Sequence, residues 1–270
     1  MPILNRKLFL RLVALCVVLG GGLVVLHHVQ AGRVPEGLLW QADAALEKGK
    51  PDRAAFYLRQ YLEFRPDDYD AAVRLADLML ERPGSAKDLQ NAQFLYERVL
   101  REAPQRADVG RKLVALCIQM RRFADALEHA QRLLETENAD GVLHAQLAQC
   151  LVAQNRPEQA RTEYEQALAL APAHIAAYEQ YADLLERHFK KPQDAAAVLD
   201  RLTQLNSSRP AALLARARFL QRTDKLDECV RTLDHVSLLD PENGEALVIS
   251  AEVFQARGEL RRARETLRDA

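Results

Sequence analysis

Cysteine and histidine are the residues of this 270-residue chain best suited to hold a metal or act as nucleophiles, and their spacing supports neither use. Cys16, Cys117, Cys150 and Cys229 stand singly, without the paired CxxC spacing that zinc ligation asks for. His27, His28, His129, His144, His174, His188 and His235 form no HExxH, the arrangement that sets two imidazoles on one helix face around zinc. No GxxxxGK(S/T) or GxGxxG offers a cradle of backbone N–H groups to a phosphate, and no GxSxG sets a serine on a strained elbow. Neighbouring carboxylates such as Asp67-Asp68 lie in turn-like stretches, where they are expected to cap helices. No catalytic residue, metal site or cofactor is therefore expected. The formal net charge is −1, which makes no electrostatic case for a nucleic-acid partner.

What positions these residues is an internal period. Ala54, Ala92, Ala126, Ala160, Ala195, Cys229 and Ala263 follow one another at spacings of 38, 34, 34, 35, 34 and 34. Ahead of them run Ala42, Ala76, Val114, Ala148, Ala182, Ala217 and Ala251, at 34, 38, 34, 34, 35 and 34. Pro66, Pro104, Pro172 and Pro241 are separated by 38, 68 and 69, sums of the same steps. Three residue series share one irregular period of about 34 residues, the mark of a repeat architecture. Ala, Leu, Arg, Glu and Gln dominate, so the elements are expected to be helices.

A period of this length, with small residues at positions 8 and 20, a large apolar residue at 24 and Pro at 32, resembles the tetratricopeptide repeat. The fourth unit carries the pattern most fully, with Leu147, Ala148, Leu151, Ala160, Tyr164, Ala167 and Pro172. The sixth follows with Leu213, Ala217, Leu220, Cys229, Leu233 and Pro241. The resemblance implies an all-α, TPR-like solenoid over residues 34–270, a right-handed superhelix of antiparallel helix pairs. Its units are 35–68, 69–106, 107–140, 141–174, 175–209, 210–243 and an incomplete 244–270.

Physical reasons for the pattern stand apart from the family. Each unit reads as two amphipathic helices. Their backbones approach closely only where positions 8 and 20 are small, and ridge-into-groove packing then sets the crossing. The proline after the second helix cannot continue it. One pair cannot bury its apolar face alone, so pairs must stack. Interhelix turns are expected at Gly49-Lys50-Pro51-Asp52, at Asn155 and at Gly258, with a four-residue insertion around Pro83-Gly84-Ser85 and a one-residue insertion near Lys190-Lys191-Pro192. The third unit is degenerate, with Val114 in place of a small residue and Asn138 in place of proline. Cys117, Cys150 and Cys229 fall on apolar positions, where a thiol serves as a small hydrophobe; a Cys117–Cys150 disulfide between neighbouring units is the alternative. Leu260 and Leu267 are expected to present an uncovered apolar face in the seventh unit, to be met by further repeats or by self-association.

Residues 1–33 differ from the rest. Arg6, Lys7 and Arg11 precede an uncharged run of 15 residues, Leu12–Leu26, or 19 residues counted from Leu8 with Arg11 snorkelling. The segment reads as an N-terminal signal anchor, a transmembrane helix with a short linker. Cleavage after Ala31, which would release the repeats in secreted form, is the alternative.

With no catalytic constellation, binding remains. The resemblance implies that positions 2, 5, 9 and 12 of each first helix line a concave groove. Positions 5 and 9 give Leu39 and Asp43, Val73 and Asp77, Arg111 and Ala115, Ala145 and Gln149, Glu179 and Asp183, Leu214 and Arg218, and Val248 and Glu252. The Lys and Asn that let some relatives clamp a terminal carboxylate occur at neither position here. A groove mixing carboxylates with Arg111 and Arg218 suits a peptide or helix of a partner protein with some basic character. The expected function is thus a membrane-anchored scaffold for protein–protein interaction. Two alternatives are the non-catalytic arm of a longer enzyme, and an assembly factor of a secretion, pilus or cytochrome-maturation complex.

The charge asymmetry around the apolar run predicts topology. Arg6, Lys7 and Arg11 flank it on one side, whereas Arg33 on the other is soon followed by Glu36. Cations near a span favour the cytoplasmic side, so the N-terminus should stay inside and the repeats outside, in the periplasm if the host is a bacterium. Reporter fusions after residue 270 should give active alkaline phosphatase and a dark cytoplasm-maturing fluorescent protein. The reverse pattern would overturn the orientation.

Overall fold

The computed structural model of the chain describes residues 34–81, 85–136 and 140–269, and the regular structure there is helical throughout. The apolar run of residues 12–26, the turn residues Pro83-Gly84 and Asn138 lie outside the described residues. Fourteen helices follow in order among the described residues: α1 (residues 34–47), α2 (Pro51–Phe64), α3 (Tyr69–Leu80), α4 (Ala86–Glu102), α5 (Ala107–Gln119), α6 (Phe123–Leu134), α7 (Gly141–Ala153), α8 (Pro157–Leu170), α9 (Ile175–Arg187), α10 (Pro192–Leu205), α11 (Pro210–Arg222), α12 (Leu226–Leu239), α13 (Gly244–Ala256) and α14 (Leu260–Asp269). Odd-numbered helices are the first of each repeat and even-numbered helices the second.

Two compact units divide between Val109 and Gly110, inside α5. In the first, α3 packs against both α2 and α4. In the second, α7–α8, α9–α10, α11–α12 and α13–α14 form pairs, and α6–α7, α8–α9, α10–α11 and α12–α13 join one pair to the next. The first helices α7, α9, α11 and α13 also touch in succession, which sets their faces side by side.

The small residues sit where the spacing places them. Ala42, Ala54, Ala76, Ala92, Val114, Ala126, Ala148, Ala160, Ala182, Ala195, Ala217, Cys229, Ala251 and Ala263 are all buried. The sixth repeat shows the crossing directly: the Cys229 thiol donates to the carbonyl oxygen of Ala217 at 3.3 Å. Position 8 of the first helix thus meets position 20 of the second, backbone against side chain. Cys117, Cys150 and Cys229 are all buried, and no disulfide joins Cys117 to Cys150. Burial pushes the Cys150 and Cys229 thiols up to about 11.

Position 24 carries the bulk that small residues cannot. Leu58, Tyr96, Ala130, Tyr164, Leu199 and Leu233 are all buried, and each large one contributes roughly 1.5–3 kcal/mol by leaving water. The seventh residue of that series, Leu267, is 56% exposed, as is Leu260 at 57%, with no described helix beyond α14. Tyr164 stacks on Tyr181 of the next repeat with ring centroids 5.7 Å apart.

The turn within each repeat is punctuated at one register. Gly49, Arg121, Asn155, Asp224 and Gly258 adopt positive φ at position 15, and Lys190 does so one residue later, after the single insertion. The next residue donates back into the helix, as in Arg156 N to Leu151 O at 2.9 Å and Lys225 N to Leu220 O at 2.9 Å. This is the Schellman arrangement, which satisfies the last carbonyls of the first helix and reverses the chain. Sequence reading finds the Gly and Asn members. It misses Arg121 and Lys190, whose side chains disfavour that conformation, and Asp224, whose short polar side chain tolerates it as Asn does.

Between repeats the residue before the first helix serves as its cap. Asp68 accepts from Ala71 N at 2.9 Å, Asp140 from Val142 N and Leu143 N at 3.0 Å each, and Asn243 from Ala246 N at 3.0 Å. Ser85 forms a capping box with Asp88 at the head of α4.

Gly141 and Gly244 both open a first helix, yet their surroundings differ. A Cβ on Gly141 would meet Ala171 Cβ at 2.7 Å and Ala167 O at 2.9 Å, whereas one on Gly244 would meet nothing within 4 Å. Gly141→Ala should therefore destabilise the protein by about 1–3 kcal/mol through overpacking against α8. Gly244→Ala should be neutral or stabilising by up to about 1 kcal/mol. Urea unfolding of the two variants checks this. Equal midpoints would refute the close approach of α7 to α8.

Candidate protein-binding groove

In the first unit the positions expected to face the groove are split between surface and core. Leu39 is half-buried and Asp43 is exposed on α1, while Val73 is buried and Asp77 half-buried on α3. Arg74 of α3 reaches across to the Asp43 carboxylate. Tyr96 of α4 donates its hydroxyl to Asp77 Oδ1 at 2.6 Å. The two carboxylates at position 9 are thus joined to a neighbouring helix in each case.

The second unit brings more of them together. Arg111 on α5 donates from Nε to Asp140 Oδ2 at 2.5 Å, beside the cap of α7. Ala145 and Leu214 are buried, Gln149 is half-buried, and Val248 is 44% exposed. Ala145 and Leu214, like Val73, form the floor beneath the surface and offer no side chain to a partner.

Across α9, α11 and α13 side chains pair from one first helix to the next. The Arg218 guanidinium lies between the Glu179 and Glu245 carboxylates, bonded to both. Burial disfavours the charge of Arg218, but Glu179 and then Glu245 outweigh it and hold its pKa above the ordinary value. One helical turn on, Arg222 Nη2 is 2.6 Å from Glu186 Oε2 and 3.5 Å from Asp183 Oδ1. Asp183 also receives Arg187 Nε at 2.8 Å. Gln221 donates to Glu252 Oε2 at 2.8 Å. The network therefore holds Glu179, Asp183, Glu186, Glu245 and Glu252 against Arg187, Arg218 and Arg222, an excess of negative charge.

Residue-by-residue reading from positions 5 and 9 finds Glu179, Asp183, Arg218 and Glu252, and misses Glu186, Glu245, Gln221 and Arg222. The signal for three of these was present, since Glu245 stands at position 2 and Glu186 and Gln221 at position 12. Arg222 follows directly after position 12 and reaches the network by its length. The arrangement supplies no nucleophile and no proton-transfer pair. It is a carboxylate-rich surface crossed by guanidiniums that already have partners. Exposed pairs of this kind contribute about 0.2–1 kcal/mol each, so an incoming cation can exchange with them at little cost.

The Arg111–Asp140 pair carries a pH signature. Burial tends to raise the Asp140 carboxyl, but the Arg111 hydrogen bond and the Leu143 amide together hold it below its ordinary value of 3.8. The sign follows: its contribution to stability is complete above about pH 4 and is lost as pH falls through the lower folded value. Asp140→Asn keeps the cap acceptor and removes the charge. The variant should be less stable than the wild type by roughly 1 kcal/mol at pH 7, with the gap closing below about pH 4. Urea midpoints from pH 7 down to 3 test this, and a gap independent of pH would refute the ion pair.

Residues 85–150 and 118–187 match the tetratricopeptide repeat, and a second description of the tetratricopeptide repeat matches residues 36–68. No curated protein matches the chain. Among solved structures, a tetratricopeptide repeat protein from Parabacteroides merdae is 14% identical, covering 87% of this chain and 91% of its own, with a TM-score of 0.67. MamA from Desulfovibrio magneticus is 16% identical over 65% of this chain and 97% of its own, with a TM-score of 0.58. The pilF protein of Pseudomonas aeruginosa is 19% identical over 84% and 99%, with a TM-score of 0.56. At such identities the likeness is one of fold. Together the matched segments cover half of the chain. With the crossing residues, turns and helix pairs in register, the chain belongs to the tetratricopeptide-repeat family.

Proposed function

We propose that this protein is a membrane-anchored scaffold that holds a basic peptide or helical segment of a partner protein against the face formed by α9, α11 and α13. One observation carries the reading: three consecutive first helices present five carboxylates, Glu179, Asp183, Glu186, Glu245 and Glu252, with three guanidiniums among them. A lysine- or arginine-bearing segment would meet a negative surface there, and such complementarity selects partners and speeds encounter. Exposed Val248 supplies an apolar contact at the same face. In this reading the successive helix pairs follow a right-handed superhelical course, the apolar run at 12–26 is the anchor, and the repeats lie outside the cytoplasmic membrane. Exposed Leu260 and Leu267 are a surface through which the chain would associate with itself.

Photocrosslinking from Val248 in cells tests the groove. The captured segments should carry net positive charge, and Asp183→Lys with Glu252→Lys should lower capture roughly tenfold, the effect of about 1.4 kcal/mol. Capture of acidic segments, or equal capture from Gln204 on α10, would overturn the proposal.

A further inference from the structure

The only tryptophan of the chain is exposed. Trp40 on α1 shows 70% of its surface to solvent, an uncommon cost for the largest side chain unless something covers it in use. It borders a cleft of about 200 Å³ between α1 and α2, whose other large side chains are Lys48, Lys50, Arg53 and Tyr57. No carboxylate lines this cleft. Phe56, 53% exposed, stands edge-on to Tyr57 with ring centroids 5.6 Å apart and extends the aromatic surface. The turn between the two helices, with Gly49 at positive φ, is what places Lys48 and Lys50 on the same rim.

Aromatic rings with a polar edge, set beside cations in one cleft, suit one environment in particular. At a bilayer surface the rings settle at headgroup level, and lysine and arginine meet anionic phosphates. Position in the chain agrees: Trp40 follows the apolar run, which ends at Leu26, by 14 residues. A span held in the bilayer keeps that face near the headgroups at high local concentration. The groove on α9, α11 and α13 is acidic and suits the opposite charge.

We propose that the Trp40 face of α1 and α2 docks on an anionic lipid surface, seating the first repeat against the membrane beside the anchor. The inference rests on the anchor reading given above, and the experiment separates the two. The full chain is reconstituted in vesicles of phosphatidylcholine with phosphatidylglycerol, and in vesicles of phosphatidylcholine alone. Flotation after alkaline carbonate washing reports the anchor, and Trp40 emission reports docking without interference from other tryptophans. With phosphatidylglycerol the emission should shift to shorter wavelength and lose intensity when the lipids are brominated. The combined charge reversal Lys48→Glu, Lys50→Glu and Arg53→Glu should abolish both effects while leaving flotation and helical circular dichroism unchanged. If the chain floats and Trp40 stays as open to acrylamide as in detergent, docking is refuted and the anchor stands. Shielding from acrylamide without quenching by brominated lipid would mean that protein covers the face, which also refutes it. Loss of the chain from the vesicles on carbonate washing refutes the anchor and the docking together.

Discussion

Two helix backbones that cross at a pair of small side chains set the geometry of every repeat in this protein. Where position 8 meets position 20 there is room for a methyl or a thiol and little more, as the contact between the Cys229 thiol and the Ala217 carbonyl shows. Close approach there is what lets Tyr96, Tyr164, Leu199 and Leu233 reach between helices and leave water. At this register the third repeat carries a larger residue, Val114, which is fully buried. Packing in this region has no slack, and Gly141 shows the same limit between the two helices of the fourth repeat, with Ala171 and Ala167 standing where a Cβ would be.

The charged surface follows from that stacking. Because α9, α11 and α13 lie side by side, a side chain on one reaches its counterpart on the next, and Arg218 finds Glu179 and Glu245 in two neighbouring repeats. No single pair in this network adds much stability, since each is substantially solvated. Their combined effect is to hold long side chains extended over the first-helix face and to leave carboxylates in excess. A face of that kind is organised in advance, which would lower the entropy lost on association with a partner. Buried Ala145 and Leu214 keep the surface close to the helix axes, so the partner would meet charged and polar groups on a firm floor.

The capping residues show how local chemistry and stacking cooperate. Asp68, Asp140 and Asn243 occupy the same place before the first helices α3, α7 and α13, and each satisfies amide donors that would otherwise be left open. Asp140 serves twice, since the same carboxylate that caps α7 also receives Arg111 from α5. A turn residue thereby ties one repeat to the next. At His174 and Arg209 the same register has no side-chain cap. Arg209 instead donates to the carbonyl oxygen of Ala173 in the preceding turn at 3.2 Å.

Sequence alone determined the repeat length, the helical class and the two registers of small residues, which all lie buried. These depend on contacts within about one period, and small residues, prolines and glycines mark them unambiguously. Which turn residues take positive φ was only half visible, because Arg121 and Lys190 carry no local preference for it and are held there by the helices on either side. Tertiary structure decided the rest of the site. Register assigns a residue to a helix face, but it does not say whether that face is covered, so Val73, Ala145 and Leu214 read as groove residues and lie buried. Nor does it say which distant group a long side chain will meet. Arg218 reaches a glutamate 39 residues before it and another 27 residues after it, a pairing that exists only once three repeats are stacked.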